Sequence, residues 1–565
     1  MTAIPSSMAA RSPSPPSPAV DSARSSWQKW DDTLDWLSER LNPIVVKEAR
    51  QALKSRQFTI TFGLLLAFGA CWTALGVAWN RETIFYSPAG PSLVIGYYII
   101  LAVPMLVIVP FVAFRSLAAE REDGTFDLLS IATLSARQVV VGKLASAVLQ
   151  MMVYYSALAP CIAFTYLLRG LDIITIGLML AYLFLASLLL SALGLALATI
   201  TKERHWQVLL SVVLVAALVV IFGTWLSSMG LIFEAFLNYS PFDELHFWMG
   251  NVALLMFHAS FLALFIYVSA GQITFATDNR STPVRWVLFT QSALLFGWIL
   301  YGMCVEPEPF FMMGCTFALI YWWVVGSFLI GERADLTPRV RRQLPQTFLG
   351  RMFLTWFNPG SGSGYFFALT NLGMILLAFY VATLLMDWWG LSMRNRSFLA
   401  IDHLPQFAVG AWLFAAAYLG LGRLIVLLVR RRVPNGVVFS FLLQIVLVTF
   451  GTLIPIVLQL SLFTTNDFNY SALQVTNPFW TLAEILFDYR SGLGQADTAL
   501  PMALLAIFGS IMVLVHFIST IHEIEQTRLV APQRVQEEDA AVIAARTPVR
   551  KRNPWDEPSA PASAS

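Results

Sequence analysis

Residues 172–200 read DIITIGLMLAYLFLASLLLSALGLALATI, with one charged residue, Asp172, at the very start. A helix needs about 20 consecutive apolar residues to cross a hydrocarbon core. This stretch has that length and no polar face to turn toward water. The pattern recurs along the chain. Spans are expected near 58–79, 92–114, 145–168, 172–200, 207–229 and 248–270, then near 286–304, 309–331, 366–390, 405–429, 437–462 and 500–520. The composition agrees, since 57% of the 565 residues are hydrophobic, 12% are charged, and the mean hydropathy is +0.67. Soluble domains carry about 25% charged residues. The expectation is an all-α, polytopic integral membrane protein of the cell (cytoplasmic or inner) membrane. It has about 12 transmembrane helices in two six-helix halves.

Orientation follows from the Lys and Arg positions. With the N-terminus inside, the outer loops hold only Arg81, Arg169, Arg394, Arg396 and Arg490, and Arg423 lies within a span. The remaining Lys and Arg fall on the inner side, so both termini are expected to be cytoplasmic. Five regions follow. Residues 1–26 are a Pro/Ser-rich disordered tail with no apolar core, hence no signal peptide. Residues 27–57 hold interfacial amphipathic helices. Residues 58–270 form the first membrane half, with an inner loop at 115–143. Residues 286–520 form the second, with an inner loop at 332–365. Residues 521–565 are a cytoplasmic tail. Each half has two spans, a long basic inner loop and four more spans. Each also carries Pro-Phe before its sixth span, in Asn238-Tyr-Ser-Pro-Phe242 and Asn477-Pro-Phe-Trp480. An internal repeat of this kind is common in transporters.

Two segments precede or interrupt the spans in an informative way. Trp27, Trp30, Leu34, Leu37 and Leu41 recur at helical spacing opposite Asp31, Asp32, Asp35 and Glu39, and Pro43 ends that helix. A second stretch, Ile44 to Phe58, alternates apolar residues with Lys47, Glu48, Arg50, Lys54 and Arg56. A basic amphipathic helix beside a span lies in the headgroup plane, with membrane lipids as its partners. The loop after the second span places Glu120, Arg121, Glu122 and Asp123 before a Gly124-Thr125 break. A short apolar turn follows at Phe126, Leu128 and Leu129. Thr133 or Ser135 can then cap the helix that re-enters the membrane. Such a charged knob suits docking of another protein; an ordinary solvated loop is the plainer reading.

This loop resembles the segment after the second span in membrane subunits of type-two ABC exporters. The match rests on Glu120, Arg121, Glu122, Gly124, Thr125, Leu128, Leu129, Leu134, Ser135, Gly142 and Lys143, with Asp127 and Thr133 departing from the usual Glu and Pro. The stretch Asn42 to Arg56 resembles that family's elbow helix. The resemblance covers roughly residues 40–270, and the second half lacks the Glu/Gly/Thr pattern. It implies a permease subunit that exports a substrate using ATP hydrolysed by a separate ABC ATPase (nucleotide-binding) subunit. Residues Glu120 to Ser135 would then be the coupling site. The chain has no G-x-x-x-x-G-K-[ST] of its own.

Other chemistry is not indicated. No catalytic motif, cofactor site or metal cluster appears, so the chain reads as a non-enzyme without cofactor or nucleic-acid partner. Cys71, Cys161, Cys304 and Cys315 show no paired spacing, although a Cys304–Cys315 disulfide is conceivable. Arg423, His258 and His516 lie in apolar stretches, where ionisable groups are costly and often functional. Arg423 near an inner end can also snorkel, and a neutral, hydrogen-bonded ring is the plainer reading of both histidines. No carboxylate sits at a clear mid-span position, which weighs against an ion-coupled secondary transporter. A non-transporting scaffold or mechanotransmitter coupled to an ATPase stays open, as does a homo-oligomer. The substrate is not legible.

Overall fold

A chain inside lipid must satisfy its backbone hydrogen bonds internally, which leaves helices or closed barrels. The computed structural model of the chain takes the helical route. It describes residues 43–79, 81, 86, 88, 90–122, 135–168, 170–200, 204–239, 241–274, 280–333, 341, 344–345, 347–354, 356–388, 404–430, 436–462, 470–487, 499–527 and 533–546. No strand occurs among the described residues. Twelve helices are long and apolar enough to cross a membrane, so the chain is an all-α, multi-pass membrane protein. The expected tail at 1–26 and the expected helix at 27–41 lie outside the described residues.

The chain divides into two compact units, Met1–Ile273 and Thr274–Ser565. In the first, α1 (Pro43–Leu53) precedes the spans α2 (Arg56–Trp79) and α3, which runs from Gly90–Val103 through a π turn, Pro104–Ile108, into Val109–Glu122. The spans α4 (Ala136–Leu167), α5 (Ile173–Ala198), α6 (Arg204–Asn238) and α7 (Leu245–Ile273) complete it. The second unit holds the spans α8 (Ser281–Val305) and α9 (Pro307–Leu329), then the short α10 (Phe348–Leu354). The spans α11 (Ser361–Trp388), α12 (Leu404–Arg430) and α13 (Val437–Leu462) follow, then the shorter helix α14 (Pro478–Phe487), the span α15 (Ala499–Thr527) and α16 (Gln533–Arg546).

The helices at the first inner loop are longer than the hydropathy suggests. α3 reaches Glu122 and α4 starts at Ala136, so the loop expected at 115–143 is helical at both ends. Ser135 begins α4 through a capping box: its hydroxyl accepts from the Gln138 amide, and its own amide donates to the Gln138 side chain. Two of the helix's orphan donors are satisfied in this way. At the base of α2, Ser55 likewise accepts from the Phe58 amide, which starts that span at Arg56 rather than at 58. The last span similarly runs on past 520 to Thr527.

The two units pack their spans in the same order. In each, the first span lies on the second and third, and the second lies on the third, fourth and fifth. The third lies on the fourth and sixth, and the fourth on the fifth and sixth. Aromatic clamps with small partners hold several of these pairs. The Trp72 indole donates to the Leu93 carbonyl at 3.0 Å, and a Cβ at Gly96 would lie 2.0 Å from that ring. In the second unit the Trp412 indole donates to the Leu369 carbonyl at 3.0 Å beside Gly373.

The π turn of α3 has a specific cause. Val109 donates its N–H to the carbonyl of Pro104, and Pro110 has no N–H to give. The Met105 carbonyl therefore loses its helical donor. Ser187 of α5 supplies one, its hydroxyl donating at 2.5 Å. α5 comes this close because of Gly194, where a Cβ would lie 2.8 Å from the Pro110 carbonyl oxygen.

Candidate functional site

Among the described residues, buried charge gathers at the ends of spans in three nodes. The first joins α1, α3 and α4. Lys143 sits about two turns into α4 with its side chain 1% exposed. Its ammonium has three N–H donors, and three acceptors surround it. These are Glu48 Oε1 at 3.1 Å, Glu120 Oε1 at 3.0 Å and the Ser116 carbonyl at 3.2 Å. Lys47 stands outside this group, 4.0 Å from Glu120. One cation thus pins the elbow helix to the last turns of the second span and to the first turns of the third.

This arrangement sorts the residues expected at the coupling loop. Glu120 and the elbow residue Glu48 come together on Lys143, so Glu120 is a partly buried tether rather than a free knob. Ser135 is the helix cap. Arg121 and Glu122 close α3, and their side chains are outside those described. Gly124, Thr125, Leu128 and Leu129 lie outside the described residues. In the elbow, Lys47, Arg50, Lys54 and Arg56 are all exposed. The role of Lys143 was visible only as part of the resemblance; its signal is a lone cation in the apolar run Val139-Val-Val-Gly-Lys143-Leu144.

The second node belongs to the second unit. Arg285 of α8 is fully buried and pairs with Glu332 Oε2 at 2.6 Å. It also donates to the carbonyls of Trp356 and Gly360 and to the Ser363 hydroxyl, and its guanidinium lies 5.5 Å from the Phe367 ring centre. Ser281 donates to the other Glu332 oxygen at 2.8 Å. Arg430 donates to the carbonyls of Gly331 and Glu332. Glu332 is followed by Arg333, as Glu120 is by Arg121. Both glutamates end the second span of their unit, and both hold a buried cation.

Arg423 of α12 forms the third node. It does not snorkel: it is fully buried and engaged on every side. Its Nη2 donates to Glu523 Oε2 at 3.2 Å. Its Nη1 donates to His516 Nδ1 at 3.0 Å and to the Thr520 hydroxyl at 3.3 Å, and its Nε to the Ser361 hydroxyl at 3.4 Å. A guanidinium can only donate, so His516 Nδ1 accepts. His516 Nε2 then carries the hydrogen and donates to the Gly420 carbonyl at 2.7 Å. The His516 ring is neutral and fixed. Gly362, at the start of α11, donates its amide to the same Glu523 oxygen, and a Cβ there would meet Thr520, Glu523 and Arg423 at 2.4 to 2.8 Å. Sequence reasoning missed Glu523 because hydropathy ends the last span at 520, one turn short. His258 differs from His516: its Nδ1 bonds only to the Leu254 carbonyl of its own helix.

The end of the second unit around α14 is rich in uncharged polar groups. Gln474 donates to Gln459 Oε1 at 2.6 Å, Asn477 donates to Gln474, and Thr481 donates to the Gln474 carbonyl. Asn477 also caps α14 by accepting from the Trp480 amide. The helix-like pattern expected around Trp480 and Glu484 is α14, while Asp488 and Tyr489 lie outside the described residues. Burial raises the Tyr470 hydroxyl above its ordinary value. The carboxylate of Glu244, hydrogen-bonded to Tyr239, does the same in the first unit. All four cysteines are free. Among the described residues no cluster could hold a metal ion. Family models, curated proteins and solved structures give no match to the chain.

Proposed function

We propose that this multi-pass membrane protein is the permease subunit of an ATP-binding-cassette exporter, energised by a separate ATPase chain. The observation that carries the reading is the Lys143 node. A protein pressing on residues 123–134 would push on the ends of α3 and α4 together, because Glu120 and Lys143 hold those ends to each other and to the elbow helix through Glu48. Force delivered there moves a rigid base instead of deforming a loop. The shared packing order of the two units supports it further, since repeated halves give a transporter two comparable walls. Energy comes from phosphoryl transfer in the partner.

The test pairs the wild-type chain with an L128D/L129D variant in membranes that also contain the candidate ATPase. The wild type is expected to retain the ATPase through purification and to raise its hydrolysis rate in vesicles. The variant should insert normally and lose that stimulation by about tenfold or more, the size of one to two lost apolar anchors. Equal stimulation by both chains, or none by either, would overturn the reading. ATP-driven uptake into inverted vesicles then separates an exporter from a membrane scaffold that uses the same base to pass force outward.

A further inference from the structure

We propose that the outward side of α1 and the lipid-facing stripe of α2 together bind an anionic phospholipid of the cytoplasmic leaflet. Lys47 and Arg50 lie three residues apart on α1, Lys54 follows in the turn after it, and all three are exposed. The next residue after Lys47, Glu48, turns to Lys143, which holds it. That ion pair ties α1 to α4 at one position.

These cations lead into the first span. Arg56 opens α2, and Ile60, Leu64 and Phe68 follow at four-residue intervals. These three are 63%, 51% and 59% exposed, which makes them a continuous apolar row that starts one turn from Arg56 and slants by about 40° per step around the helix. From Arg56 to Phe68 the helix rises about 18 Å, close to the roughly 15 Å thickness of one hydrocarbon leaflet. A lipid whose tails lie along this row has its headgroup at Arg56, two residues from Lys54 in the turn and next to the end of α1. Among the described residues, Arg50, Lys54 and Arg56 face no carboxylate, and Lys47 reaches only Glu120, which Lys143 already engages. Four cations with one partly shared counter-ion match a headgroup of net negative charge. A zwitterionic headgroup would bring its own cation against them. The inference rests on the membrane fold and on the orientation given by the Lys and Arg positions, so its test is independent of any ATPase.

The full chain, purified in neutral detergent, is titrated with phosphatidylglycerol and separately with phosphatidylcholine, and bound lipid is counted by native mass spectrometry. The wild type is expected to take up a first phosphatidylglycerol in preference to phosphatidylcholine. An R50Q/K54Q/R56Q variant should lose on the order of 100-fold in that affinity, at about fivefold per cation. Its phosphatidylcholine binding should not change. Lys47 is left in place because of its contact with Glu120. An unchanged unfolding midpoint in lipid-free detergent verifies the fold of the variant, and K54Q alone, expected to lose about fivefold, serves where the triple variant fails to accumulate. Wild-type affinity in the variants, or equal uptake of both lipids by the wild type, overturns the proposal.

Discussion

Replacing Lys143 with methionine tests the base of the first unit most directly. Methionine fills the same volume without the ammonium, so the change isolates charge. Glu48 Oε1 and Glu120 Oε1 are 3.1 and 3.0 Å from Lys143 Nζ, so they are separated by at most about 6 Å. Without the cation their repulsion is about 3 kcal/mol at an effective dielectric near 20. The hydrogen bonds to both carboxylates go with it. Removing one partner of a buried pair costs about 3–5 kcal/mol, and both routes point to that range. Replacing all three residues, as K143M/E48M/E120M, removes the stranded charges as well, so that variant should return to within about 1–2 kcal/mol of wild type. The assay is reversible unfolding in mixed micelles titrated with sodium dodecyl sulfate, with K143M, E48Q and their double variant forming a cycle. A K143M loss under about 1 kcal/mol, or coupling near zero between Lys143 and Glu48, would show that the node does not hold the base together.

R423K should cost about 2–3 kcal/mol in the same assay, because the three donors of an ammonium sit on one atom and cannot replace a guanidinium fork that reaches Ser361, His516, Thr520 and Glu523, and hydrogen bonds to charged groups are worth about 1.5–3 kcal/mol. A neutral result would mean that the guanidinium geometry at Ser361, His516 and Glu523 is dispensable. G362A should cost about 1–3 kcal/mol by overpacking. G177A, where an added Cβ meets nothing within 4 Å, should be neutral or stabilise by up to about 1 kcal/mol. Equal effects of the two glycine changes would count against the close approach of α11 to Glu523.

Hydropathy placed all the spans because apolar length is a property of the local sequence. Helix ends were harder. Residues 115–122 and 136–143 carry Glu120 and Lys143, which hydropathy assigns to water although the helices bring them into contact. Pairing across sequence separations such as that between Glu48 and Lys143 leaves no local trace. The same holds for Glu523, whose partner Arg423 lies two spans earlier. The elbow residues were legible as basic and amphipathic, but which of them turn inward depended on Lys143. Loop order and Pro-Phe positions suggested a repeat, while the shared packing order of the two units could be read only from the fold.

The π turn in α3 has a geometric corollary. A turn closed over five residues holds one more residue than an α-helical turn, so the helix beyond it is out of phase with the helix before it. Returning that spare residue would swing everything beyond Ile108 by about 100° and shift it by about 1.5 Å. Glu120, twelve residues further on, would swing off the Lys143 ammonium. A regular second span and a closed base are therefore mutually exclusive, and the Ser187 hydroxyl on the Met105 carbonyl favours the closed one.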